Sequence, residues 1–343
     1  MKYSQRVGLL ILIFWAPLLL ADLNLRKLPM KCPTEQRQHS QSELRKESEM
    51  IQKRSQASAK LYKLKKGEDL KDVTQQVLEH KYTDNAVKEA IKNKERRYYV
   101  FTYPSDGLTI KAFVSIPVGV KNPPLIMLVR GGNREFGLPH PGQLSAYPGY
   151  ALVATTNRGG VSEGQDEFGG NDVNDLKNLF DYLPTLEKKI NVTFNADKTY
   201  MVGASRGGMQ LFLALGRYPE LQQKVKKVAS ISGLLNMKYA IERDNDFREM
   251  LGNFGYQKGK KGEAWIAKRQ PLNYVNKISK DLPIMIAQGS ADTRVCVREG
   301  YDMLEALHKN GNTITYVEVE GGDHVLNNTV DFLKLMIHWF EQK

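Results

Sequence analysis

Two Gly-x-Ser-x-Gly pentapeptides stand in this sequence, Gly160-Val-Ser-Glu-Gly164 and Gly203-Ala-Ser-Arg-Gly207. A serine hydroxyl becomes a strong nucleophile when a sharp strand-to-helix turn holds it and a base takes its proton. Small flanking residues let neighbouring backbone come close to such a turn. Ser205 has that setting, with strand-like Tyr200-Met-Val202 before it and helix-forming Gly208-Met-Gln-Leu-Phe-Leu213 after it. Ser162 leads instead into the polar stretch Gln165-Asp-Glu-Phe-Gly-Gly170 and reads as a loop serine. At Ser205 the amino end of the following helix and the backbone N–H of Arg206 face the oxygen that becomes negative.

On an elbow of this kind the acid and then the histidine follow the serine in chain order. After Ser205 the histidines are His308, His324 and His338. His308 shares a helical pattern with Leu304 and Leu307, and His338 lies beside Ile337 and Trp339 in the closing helix. His324 sits in Gly321-Gly-Asp-His-Val325, a loop directly after a strand, from which an imidazole can reach the elbow. Asp292, in Gly289-Ser-Ala-Asp-Thr-Arg294, follows the strand-like Leu282–Gln288 and has the right order for the orienting acid. Asp302 falls on a helix, and Asp323 adjoins the histidine in sequence. A helix cap is the plain structural alternative for Asp292.

The elements that must hold these residues alternate. Tyr98–Thr102 and Leu108–Ile116 read as strands joined by the turn Pro104-Ser-Asp-Gly107. Pro124–Val129 and Ala151–Thr155 are apolar without polar alternation, as in strands buried on both faces. A helix starts near Asp172, with Val173, Leu176, Phe180 and Leu183 on one face. Thr199–Val202, Val225–Ile231, Leu282–Ala287 and Ile314–Val319 read as further strands. Helices are expected through Leu211–Leu215, Tyr301–Leu307 and Val330–Phe340. This alternation implies an α/β fold with a mostly parallel sheet flanked by helices. Residues 235–280, charged and rich in Gly, break the rhythm and are expected to cap the site.

Residues 22–95 read as a basic helical extension ahead of a catalytic region, 96–343. Leu70, Val73 and Val77 recur at helical spacing there, as do Val87, Ala90 and Ile91. The chain carries a net charge of +12, and Lys60–Lys66 and Lys92–Arg97 supply much of the early excess. No nucleic-acid motif accompanies these lysines, so they read as a solvated surface; contact with an anionic membrane surface is the partner such an arm suits. Lys2 and Arg6 followed by the apolar run Gly8–Leu20 resemble an export signal over residues 1–21, which implies a secreted or periplasmic protein. An uncleaved anchor is the alternative. Cys32 and Cys296 are too few for a disulfide framework or a structural zinc site; one bridge between them is left open.

Asp106-Gly107 before a strand, Arg158-Gly159 after one, Gly203-Ala-Ser-Arg-Gly-Gly208, Gly289–Val295 and Gly322-Asp-His324 recur in an order and spacing that resemble the catalytic domain of the prolyl oligopeptidase family. The resemblance runs from about residue 96 to the end. It implies an α/β-hydrolase fold and the triad Ser205, Asp292 and His324, with no metal and no organic cofactor. Two departures accompany it. Where the family commonly has His-Gly-Gly or Tyr-Gly-Gly, this chain has Arg130-Gly-Gly-Asn133, so backbone N–H groups of Gly132 or Asn133 are the expected second oxyanion donors beside Arg206. The chain before residue 96 is too short and too helical for the β-propeller of many members.

The expected activity is serine-type hydrolysis of small peptides through an acyl-enzyme. A carboxylesterase or other acyl hydrolase needs the same machinery. From another class, a non-catalytic binding protein on a hydrolase scaffold has the complete triad against it. With only the extension and residues 235–280 available as lids, the site is expected to be accessible.

Overall fold

Apolar strands buried on both faces need helices on either side, and the chain supplies both in alternation. The computed structural model describes residues 9–14, 37–83, 85–140, 149–326 and 332–342. Before residue 96 the chain contributes β1 (Leu9–Phe14) in the first segment and α1 (Arg37–Ala59), β2 (Leu70–Asp72), α2 (Thr74–Glu79) and α3 (Asn85–Lys92) in the extension. There follow β3 (Arg96–Ser105), β4 (Leu108–Pro117), β5 (Pro124–Val129), β6 (Ala151–Thr155), α4 (Asp172–Ile190), β7 (Asn195–Ala204) and α5 (Arg206–Arg217). The rest comprises α6 (Pro219–Lys224), β8 (Lys227–Ile231), α7 (Met237–Arg243), α8 (Asn245–Leu251), α9 (Lys260–Arg269), β9 (Ile284–Gly289), α10 (Val297–Asn310), β10 (Ile314–Val319) and α11 (Phe332–Glu341).

The strands form one sheet in the order β1-β10-β9-β8-β7-β5-β6-β4-β3-β2. From β10 through β6 every pairing is parallel. β4, β3 and β2 extend one side antiparallel, and β1 lies antiparallel to β10 on the other. The chain passes from β5 to β6 and then crosses back to place β7 on the other flank of β5. Adjacent strands whose connections leave in opposite directions open a crevice at their carboxyl ends, where ligands bind in such sheets. The register Val129↔Gly203 sets those ends level, with the loop after Arg130 beside the turn at Ser205.

Alternate residues of each strand feed two cores. Leu125, Met127 and Val129 pack with Leu176, Phe212, Leu213 and Met303 from α4, α5 and α10. Ile126, Tyr200, Val202 and Val317 pack on the opposite face with Met336 and Phe340 of α11. Leu61, Tyr62, Val73, Val77, Val87 and Ile91 join that second core, so the extension from residue 61 onward lies against the sheet.

The extension differs from its sequence reading in two ways. Leu70, expected on a helix with Val73 and Val77, lies in β2 opposite Phe101. The open edge of β3 captures Leu70–Asp72, because unpaired strand N–H and C=O groups outweigh a weak helical pattern. The helix α1, 23 residues long, has no apolar stripe to announce it. Of the segment 1–21, Leu9–Phe14 is described, as the edge strand β1, and the remainder lies outside the described residues. Among the described residues no helix is long and apolar enough to cross a membrane. Cys296, at the amino end of α10, is disulfide-bonded, and Cys32 lies outside the described residues.

Candidate active site

The Ser205 turn is tight because its glycines leave no room for a side chain. A Cβ on Gly207 would stand 1.9 Å from the carbonyl oxygen of Val129, and one on Gly203 would stand 2.4 Å from that of Gly207. With α5 pressed this closely on β5 and β7, Ser205 takes φ 56° and ψ −124°. A non-glycine residue persists there only when its surroundings over-determine it. They do so here: Ser205 N–H donates to Ile231 O at 3.0 Å, while its carbonyl accepts from Gly208 N–H at 2.9 Å and Leu234 N–H at 3.0 Å.

Asp292 and His324, expected as acid and base, come from the loops after β9 and β10. Asp292 Oδ2 is 2.9 Å from His324 Nδ1, and the Asp292 side chain is fully buried. Its other oxygen, Oδ1, accepts the backbone N–H groups of Arg294 and Val295, both at 2.9 Å. The carboxylate is therefore fixed by its own turn and presents its remaining oxygen to the imidazole. The helix that follows takes its cap from Cys296, so the cap alternative does not hold: Asp292 Oδ1 closes a local turn and Oδ2 faces His324. Ser205 and His324 line a single cavity of about 870 Å³, with Asp292 behind the histidine.

Of the expected oxyanion donors, Arg206 stands at the first position of α5, where an N–H has no carbonyl of its own helix to meet. Its guanidinium is turned away and buried, pairing with Asp166 at 2.7 Å and Asp172 at 2.5 Å and covering the ring of Phe168. Asn133 is a correction: its N–H is already given to Phe136 O at 3.1 Å, in a small bridge that closes the loop. The loop comes closest to Ser205 at Gly131. A Cβ on that residue would lie 3.1 Å from Ser205 Cβ and 3.7 Å from Ser205 Oγ. Gly132, with φ +70°, follows on the cavity wall.

Arg130 explains the loop's shape. Buried, its guanidinium donates to the carbonyls of Arg134 at 2.8 Å, Thr156 at 2.7 Å and Phe136, and its Nε to that of Gly131 at 3.1 Å. Burial brings its pKa down to about 10, with the nearby Arg206 charge adding to the fall, yet it remains a cation at neutral pH. Arg158 binds Asp106 at 2.7 Å and Asp175 at 2.8 Å, which joins the Asp-Gly and Arg-Gly motifs in one structural ion-pair cluster. Neither arginine is available to hold substrate.

Ser162 is elsewhere. Its Oγ accepts Lys111 N–H at 2.8 Å and bonds Thr156 Oγ1 at 2.7 Å, stitching its loop to β4 outside the cavity.

The cap expected over residues 235–280 consists of α7, α8 and α9, and Ala240, Arg243, Phe247 and Met250 bring it to the cavity wall. Glu299, on α10, lies beneath it. Its Oε2 accepts the N–H groups of Leu235 at 3.1 Å and Asn236 at 3.2 Å, while Oε1 has no hydrogen-bond partner among the described residues. Complete burial pushes its carboxyl pKa up to about 8, the Asp292 charge adding to the rise.

A serine on a strand-turn-helix elbow at the crevice of a mostly parallel sheet, followed by an acid and a histidine on later loops, is the arrangement of an α/β-hydrolase. The chain belongs to the prolyl oligopeptidase family and is a serine-type peptidase of that family; the family's model matches residues 139–343, well over half of its length. A similar relative is an uncharacterized peptidase, YtmA, of Bacillus subtilis, 28% identical over 227 residues that cover 64% of this chain and 84% of the relative. Among solved structures, the acylaminoacyl peptidase of Pyrococcus horikoshii superposes with a TM-score of 0.61 at 19% identity, over 76% of this chain and 44% of that one. The esterase Est22 superposes with a TM-score of 0.59 at 14% identity, over 80% of this chain and 92% of that one. These two likenesses show the fold.

Proposed function

We propose that the protein cleaves short peptides by acyl transfer, with Ser205 as nucleophile, His324 as base and Asp292 as the acid that orients it. The observation that carries this reading is the Asp292–His324 hydrogen bond of 2.9 Å, made between two separate loops beside a serine held at φ 56°. Because Nδ1 faces Asp292, the imidazole presents Nε2 to the cavity. Ser205 Oγ attacks the substrate carbonyl as its proton passes to Nε2, and the carbonyl oxygen takes up the negative charge. Backbone N–H groups of Arg206 and of the Gly131–Gly132 turn are the donors placed to receive that oxygen. The imidazolium then gives its proton to the departing amine as the tetrahedral intermediate collapses. Water, deprotonated by the same histidine, releases the acyl group and restores Ser205.

Esters need less help from the leaving-group proton than amides do, so the same site turns over activated esters as well. An ester and an amide sharing one acyl group, assayed on purified protein, test the reading. Amide cleavage that Ser205→Ala abolishes supports a peptidase; ester cleavage alone, at every peptide length, would make the protein an acyl hydrolase instead.

Export through residues 1–21 belongs to the same proposal; cleavage there would take β1 away and leave β10 as the edge of the sheet. A disulfide-bonded Cys296 suits an oxidising compartment. Mass spectrometry of the mature protein should find an N-terminus near Asp22, and an intact Met1 on membrane-bound protein would make the segment an anchor.

A further inference from the structure

The helix α1 lies outside the region that matches the family, yet it reaches the mouth of the cavity. Glu47, Ser48, Met50, Ile51, Arg54 and Ser55 all line it. Their spacing, i, i+1, i+3, i+4, i+7 and i+8, is one face of a helix. That face is attached at both rims. At one, Arg294 of the acid's loop donates to Glu47 Oε2 at 3.1 Å and to Ser48 Oγ at 3.0 Å. At the other, Gly137 N–H, in the loop that carries Gly131, donates to Ser55 Oγ at 2.9 Å, and Arg54 Nη1 donates to His140 Nε2 at 3.1 Å. Burial, with the charge of Arg54 next, brings the His140 pKa down to about 3, so the imidazole stays a neutral acceptor through the physiological range.

The two ends of the helix are held unequally. Beyond its carboxyl end Leu61 and Tyr62 enter the second core, and Tyr62 Oη donates to Pro139 O at 3.1 Å. The Glu47 end is held by a partly exposed ion pair and one hydroxyl, a contact of modest strength that salt weakens. Between the attachments, Met50 and Ile51 are the apolar side chains on the cavity face, and Met50 is 47% exposed.

We propose that α1 forms the outer wall of the substrate pocket and that Met50 and Ile51 set how long a substrate the pocket takes. The wall spans from the acid's loop to the oxyanion loop, so a substrate extended away from the scissile bond meets these side chains. The inference rests on the serine-hydrolase reading, and it replaces the expectation of an open site with one bounded by a strap.

The test is kcat/KM for two ladders, p-nitrophenyl esters of increasing acyl length and peptide p-nitroanilides with one to three residues before the scissile bond. Ile51→Ala should raise the ratio of long to short substrate, and Met50→Trp should lower it, each by about tenfold, the scale of a pocket wall gained or lost. Lys53→Ala, on the exposed face of α1, should leave the ratio where it is. Circular dichroism and melting of each variant separate a pocket effect from unfolding. Ratios that stay constant in both Ile51→Ala and Met50→Trp, or rates that change equally at every length, would overturn the role of α1 while leaving the hydrolase reading intact. A protein that neither cleaves either ladder nor reacts with a fluorophosphonate would instead remove the hydrolase reading itself.

Discussion

The same pentapeptide pattern occurs at Ser162 and Ser205, and the two copies stand in different settings. Around Ser205 the glycines serve close approach: a side chain at position 203, 207 or 208 would run into backbone or into Ser230 Oγ. Around Ser162 the glycines turn the chain, with φ +59° at Gly160 and +81° at Gly164, and a Cβ on Gly160 would also meet the Arg134 backbone at 2.8 Å. The Ser162 hydroxyl is consumed by Lys111 and Thr156, whereas the Ser205 hydroxyl stands in a cavity with a histidine on its wall. A serine becomes a nucleophile through the elements before and after it, and the pentapeptide alone does not carry that information.

Replacing the two serines is the sharpest way to break this contrast. Ser205→Ala should reduce turnover on the order of 10⁶-fold, the scale set by subtilisin, and His324→Ala nearly as much. Steady-state assays against one peptide amide would measure both. Asp292→Asn should fall short of that, on the order of 10⁴-fold, because the acid orients the imidazole and stabilises its charge without accepting a proton. An Asp292→Asn enzyme that kept its full rate would leave the hydrogen bond at 2.9 Å without a catalytic role.

Glu299 sharpens the comparison from underneath the site. Its folded pKa of about 8 lies above the usual carboxyl value of 4.5, so the native state holds this proton more tightly than the unfolded chain does. The stability it contributes is complete below pH 4.5 and is lost as pH rises through about 8. Glu299→Gln keeps an acceptor for Leu235 and Asn236 without the charge. Denaturant titrations from pH 5 to 9 should show the wild type losing stability across this window and the variant staying flat. Parallel curves for the two proteins would remove Glu299 from the account. The smallest effect belongs to Ser162→Ala, which leaves Lys111 N–H without its acceptor and should destabilise by about 1 kcal/mol, with turnover close to wild type.

What the sequence disclosed follows the same line. β5 and β6 have the ends expected of them, because strands buried on both faces are continuous apolar runs, and β10 keeps its expected ends although Thr315 and Glu318 interrupt its apolar residues. Chain order and loop position brought Asp292 and His324 forward from among several candidates. The hidden parts are those whose stabilisation is tertiary. The helix α1 makes its contacts through Glu47, Arg54 and Ser55, residues whose partners at Arg294, His140 and Gly137 lie more than 80 positions away. β2 exists because β3 offers an edge. The bend at Gly132 that ties Asn133 N–H to Phe136 in a local bridge is likewise a matter of loop register, which leaves no periodic trace.

Labelling tests the central claim most directly. After reaction with a fluorophosphonate, peptide mapping by mass spectrometry should place a single adduct on Ser205, with activity lost in proportion to the label. An adduct on Ser162, or peptide turnover that continues in protein fully labelled at Ser205, would contradict the assignment.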